Sequence, residues 1–97
     1  MNALASLLVA APLAAAAATL PPAGTFGFDW LKPETTRCES VSDPLLKRFR
    51  RCERQEGAFG LVDRVYVCRV DGRSEYLVFA SRTACLRNLD TMRANGP

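Results

Sequence analysis

Apolar and polar positions change their spacing along the chain, and each change marks an element. Met1 to Thr19 carries no charged side chain, and its apolar run Leu4-Ala5-Ser6-Leu7-Leu8-Val9-Ala10-Ala11 gives way to the small-residue stretch Ala14 to Ala18. That is the order of a signal peptide, with Ala16 and Ala18 at the two alternate small positions a signal peptidase needs and the cut before Thr19. The competing reading is an uncleaved membrane anchor, since Met1-Asn2-Ala3 lacks a basic residue and the run approaches a bilayer's length. Pro12 within it and Pro21-Pro22 after it favour cleavage. Residues 1–18 are therefore expected to be a signal peptide.

Residues 19–36 are expected to form a flexible lead-in, rich in Pro, Ala and Gly, that ends in an aromatic segment. Phe26, Phe28 and Trp30 gather three of the chain's eight aromatics there. So much apolar surface either packs across the core as an irregular strand or serves as a partner-binding arm.

Residues 37–97 are expected to form the folded domain. Asp43-Pro44 is a helix start, because the residue before Pro leaves the helical region and Pro suits the first helical position. At about 100° per residue, Leu45, Leu46, Phe49 and Cys52 share one arc. The spacing predicts a helix from Asp43 to about Arg54, with Lys47, Arg48, Arg50, Arg51 and Arg54 on its outer face. Arg64-Val65-Tyr66-Val67-Cys68-Arg69-Val70 and Glu75-Tyr76-Leu77-Val78-Phe79-Ala80 are β-rich, and Asp71-Gly72 between them predicts a hairpin. On the expected register Tyr66, Cys68 and Val70 share the core face with Leu77 and Phe79. Ser81 should cap a second helix reaching about Arg93, with Cys85, Leu86, Leu89 and Met92 as its apolar arc and Asn95-Gly96-Pro97 ending it. The expected fold class is α+β: a small two-layer domain, helix–β-hairpin–helix, with both helices on one face of an antiparallel sheet.

The segment Tyr66-Val67-Cys68 through Tyr76-Leu77-Val78 resembles the opening hairpin of periplasmic C-type lysozyme inhibitors, which are small disulfide-bearing proteins. The resemblance covers that hairpin alone. Those proteins continue into further strands where this chain is expected to turn helical, so no assignment is carried over.

Cysteine usage reinforces export. Cys38, Cys52, Cys68 and Cys85 are even in number and follow the expected cleavage site, which suits an oxidising compartment, periplasmic or secreted. No C-x-x-C pair and no His occur, so two disulfides are expected and no metal site. The preferred pairing is Cys38 with Cys52, at the entry and end of the first helix, and Cys68 with Cys85, where the second helix runs back over the first strand. A domain this small has a marginal core, and the staples matter to its stability.

Candidate chemistry is sparse. Without His, the commonest general base and the triads built on it are excluded, and neither a G-x-S-x-G elbow nor an S-x-x-K pair occurs. No phosphate-cradling glycine loop or calcium loop is present, so no cofactor is expected. What remains is charge: a net +3 with eleven Arg to two Lys, and five basic residues between positions 47 and 54. That face is either solvated or attracts an anionic partner. The expectation is a non-enzymatic exported binding module acting on a protein or an anionic envelope component through Lys47, Arg48, Arg50, Arg51 and Arg54 or the segment of Phe26, Phe28 and Trp30. No specific nucleic acid is expected as a partner, and no membrane span after processing. The alternatives are a secreted effector or toxin-like enzyme and a structural envelope protein.

Overall fold

Val78 leaves no room for a side chain on the strand beside it. A Cβ at Gly27 would come within 2.9 Å of Val78 Cγ2 and 3.0 Å of the Leu77 carbonyl oxygen, so glycine lets β1 (Phe26–Asp29) lie tightly along β5 (Ser74–Phe79). The computed structural model describes residues 20–57 and 60–95; the expected signal peptide, Phe59 and the Gly96-Pro97 helix end lie outside the described residues. Within them, β1 is followed by β2 (Glu39–Ser40), α1 (Asp43–Arg48), β3 (Arg51–Gln55), β4 (Val65–Asp71), β5 and α2 (Arg82–Ala94). The strands form one antiparallel five-stranded sheet in the order β2-β1-β5-β4-β3.

The hairpin of β4 and β5 forms where Asp71-Gly72 predicts it, but its register slips. Asp71 pairs with Ser74, leaving Gly72-Arg73 as the loop, and Asp71 Oδ1 accepts from the Arg73 N–H at 2.7 Å, the local bond that makes Asp a turn residue. A bulge between Arg69 and Asp71 absorbs one residue. Cys68 therefore stands opposite Tyr76 and Tyr66 opposite Val78, so the expected sharing of a face with Leu77 and Phe79 is corrected: a one-residue shift sends every side chain to the other side.

That alternation explains why Tyr76 to Phe79 reads as a continuous apolar run: β5 is buried on both faces. On one side Phe28, Val65, Leu77 and Phe79 pack with Ala84, Cys85 and Leu89 of α2. On the other, Cys52, Cys68, Tyr76 and Val78 pack with Val41, Leu45 and Phe49 around α1. The expectation of two helices on one face is thus replaced by a sheet with a core on each side.

The first helix is shorter than its spacing predicts. It ends at Arg48, with Phe49 already extended at φ −70° and ψ 123°, and the residues expected as its last turns become β3. Leu45 and Phe49 are buried at helical spacing, but Cys52 is buried because it faces Cys68 across a ladder. Isolated short helices are marginal in water, so pairing with β4 outcompetes the extra turns. The second helix forms as its cap predicts, with Ser81 Oγ accepting from the Ala84 N–H at 3.1 Å. Leu86, expected on its apolar arc, is 42% exposed, and Asn88 takes the buried position, donating to Asp63 and to the Ala84 carbonyl.

Both disulfides form, with pairing different from the preferred one: Cys52 joins Cys68 and Cys38 joins Cys85. The cause is the strand at 51–55, which lays Cys52 opposite Cys68. Cys85, on the face of α2 that packs over β1 and β5, then meets Cys38, which leads into the strand beside β1.

Candidate functional site

The five basic residues are all exposed, but they do not share a helix face. Lys47 and Arg48 end α1, Arg50 lies in the connection, and Arg51 and Arg54 sit on β3. Strand alternation then separates them. Arg51 projects with Glu53 on the α2 side of the sheet, whereas Arg54 projects with Cys52 on the α1 side. Arg51 pairs with Glu53 at 3.2 Å. Among the described residues Lys47, Arg50 and Arg54 make no ion pair. Arg48 lies beside the Tyr76 hydroxyl, whose pKa is raised by burial and by Glu39, with Arg48 acting in the opposite direction.

The aromatic segment is part of the sheet. Phe28 is fully buried and stacks on Phe79 with ring centroids 5.9 Å apart; Phe26 is half-buried against the same core. Trp30 is half-buried and its indole Nε1 donates to Glu75 Oε1 at 2.9 Å. The acid between the aromatics, Asp29, went unnoticed in the sequence. It is 5% exposed, and its carboxylate accepts from Ser74 Oγ at 2.6 Å, Lys32 Nζ at 3.1 Å and the N–H groups of Leu31 and Glu75. Burial alone would raise its pKa, but these four donors together hold it below the usual carboxylate range. Its signal was an Asp flanked by residues expected in the core, since an acid in such a place needs partners.

Over β3, β4 and β5, on the α2 side, lies an open groove of about 380 Å³ lined by Arg51, Glu53, Val67, Arg69 and Glu75. Arg51 and Arg69 are directly opposite one another, an unfavourable pairing of like charges that Glu53 and Glu75 offset, the latter at 3.1 Å from Arg69. Arg69, Glu53 and Glu75 were missed as site residues because only the strand register brings them together. A separate cluster ties the β3–β4 connection to α2: Arg87 grips Asp63 through three hydrogen bonds and Asn88 adds a fourth, lowering the Asp63 pKa. Among the described residues no three His, Cys, Asp or Glu side chains converge as metal ligands do, and no helix is long and apolar enough to cross a membrane.

The fold and site thus define a small α+β domain, a five-stranded antiparallel sheet held by two disulfides and edged by a basic strand. No protein-family model matches the chain, no curated protein does, and no solved structure does.

Proposed function

We propose that the chain is an exported, non-enzymatic binding module of an oxidising compartment, periplasmic or extracellular, that recognises an anionic ligand through the strip from Lys47 to Arg54. The observation that carries this reading is that Lys47, Arg50 and Arg54 are exposed and make no ion pair among the described residues, while the apolar positions around them supply the packing. Exposed guanidinium groups without a partner are available to carboxylate or phosphate, which Arg can grip with two parallel bonds. The two disulfides suit such a compartment, where small domains lean on staples.

The test separates the strip from overall charge. The oxidised domain should be retained on a phosphorylated or carboxylated matrix and elute later than a variant carrying R50E and R54E. R73E with R82E, which makes the same change in net charge at exposed sites elsewhere, should elute between them. Equal elution of the two double variants would reduce the binding to net charge and sink the reading.

A further inference from the structure

We infer that the outer edge of β3 is a docking site for an extended acidic peptide segment, which adds to the sheet as a sixth strand. The inference rests on the reading of the Lys47–Arg54 strip as an anion-binding surface and says what the anion is and how it is held.

The sheet order leaves β3 at a free edge, paired with β4 alone. The register says which of its backbone groups are available. Cys52 and Cys68 are opposed with their Cα atoms 4.1 Å apart, the close spacing of an antiparallel pair that exchanges no hydrogen bonds. The ladder bonds to β4 therefore fall on Arg51, Glu53 and Gln55. The N–H and C=O groups of Cys52 and Arg54 point outward, where an added strand would bond them.

The side chains along that edge choose the partner. Arg54 flanks it on the α1 side and Arg51 on the other, Arg50 immediately precedes the strand, and Glu53 is the single acid among them. An incoming strand would place residues about 5 Å from these side chains, close enough for acids to pair and for like charges to repel. A second copy of β3 is a poorer partner than an acidic strand. Two-fold antiparallel pairing centred on Arg51 or Arg54 sets Arg against itself, centring on Glu53 sets Glu against Glu, and centring on Cys52 sets Arg50 against Arg54 while pairing Arg51 with Glu53. Only centring on Gln55, the last residue of the strand, opposes Arg54 to Glu56 with no like-charge pair, and it leaves Arg50 and Arg51 with no acid opposite. Charges on an edge strand ordinarily repel other strands, and here the repulsion is selective: it spares acidic ones.

The probe is a blocked seven-residue peptide alternating Glu and Val, titrated into the ¹⁵N-labelled oxidised domain at low salt. Binding should slow amide exchange at Cys52 and Arg54 and leave Glu53, already bonded to β4, unchanged. R54Q should weaken binding a few-fold by removing charge. R54P, which also deletes the outward N–H without touching the β4 ladder, should weaken it by about tenfold more. Should R54P fail to fold, a probe N-methylated at alternate backbone positions makes the same deletion from the peptide side, with the same expected loss. Salt-dependent binding of both the plain and N-methylated probes, with exchange at Cys52 and Arg54 unaltered, would overturn strand addition while leaving the cationic strip intact. Retention on an anionic matrix without any binding of the probe would likewise overturn it. Protection of the same two amides by dimerisation of the domain alone would assign the edge to a second copy instead.

Discussion

Cys52 and Cys68 face each other across β3 and β4 and are joined by a disulfide that spans 16 residues of chain. The bond marks where the helix predicted from Asp43 to Arg54 gives way to a strand, since a helical Cys52 would not lie in a ladder opposite Cys68. The second bridge, Cys38 to Cys85, spans 47 residues and ties the residue just before β2 to α2. In the chain-entropy picture the shorter loop stabilises by about 3 kcal/mol and the longer by about 4 kcal/mol. Replacing each pair by Ala should lower the urea-unfolding free energy in that order, with the Cys38–Cys85 pair the costlier. Non-reducing peptide mapping should recover Cys52 with Cys68; recovery of Cys68 with Cys85 would contradict the sheet as described.

Gly27 supplies a test of the β1–β5 contact. Gly27→Ala forces a methyl group against Val78 and the Leu77 carbonyl, and because one of those neighbours is backbone the strand must shift. A loss of about 2 kcal/mol is expected, typical of overpacking. An unchanged melting temperature would mean that β1 does not lie against β5.

How much of this was legible in the residues depended on whether a signal was local. Asp71-Gly72 marked a hairpin and Ser81 a helix cap because turn and cap chemistry act within a few residues. The bulge before Asp71 is what moved Cys68 from the side of Leu77 to the side of Tyr76, and nothing in Arg69-Val70-Asp71 announces it. Leu45, Leu46, Phe49 and Cys52 fit a helical arc, yet Cys52 obeys a period of two imposed by β4, a partner distant in sequence. The disulfide pairing follows from both differences: Cys52 lies in a strand opposite Cys68, and Cys68 faces the α1 side, away from Cys85. The basic residues were readable as exposed cations, but their division between two faces of a strand, and the groove that joins Arg51 to Arg69, required the register.

Asp29 ties part of the domain's acid stability to one buried carboxylate. Its folded pKa lies below the ordinary 3.8, so the ionised carboxylate contributes its full stabilisation above that value and loses it as pH falls through the lower folded one. Asp29→Asn leaves donors from Ser74, Lys32, Leu31 and Glu75 facing an amide and should cost about 2 kcal/mol near neutral pH. The gap between wild type and variant, followed by urea unfolding, should narrow below about pH 3.8. A gap that stays constant down to strong acid would show that the carboxylate's charge contributes nothing.

The strip from Lys47 to Arg54 is tested most directly by salt-dependent binding to the acidic Glu/Val peptide in the wild-type domain and in the R50E/R54E variant. Both substitutions fall on exposed side chains outside the two cores, so the variant should unfold within about 0.5 kcal/mol of wild type. Wild-type affinity should fall steeply as salt rises and the variant's should be weaker and nearly flat, because screening acts on the exposed charges that were removed. A stably folded variant that binds the peptide as tightly as wild type at low salt, with the same salt dependence, would contradict the proposal that this strip is the binding surface.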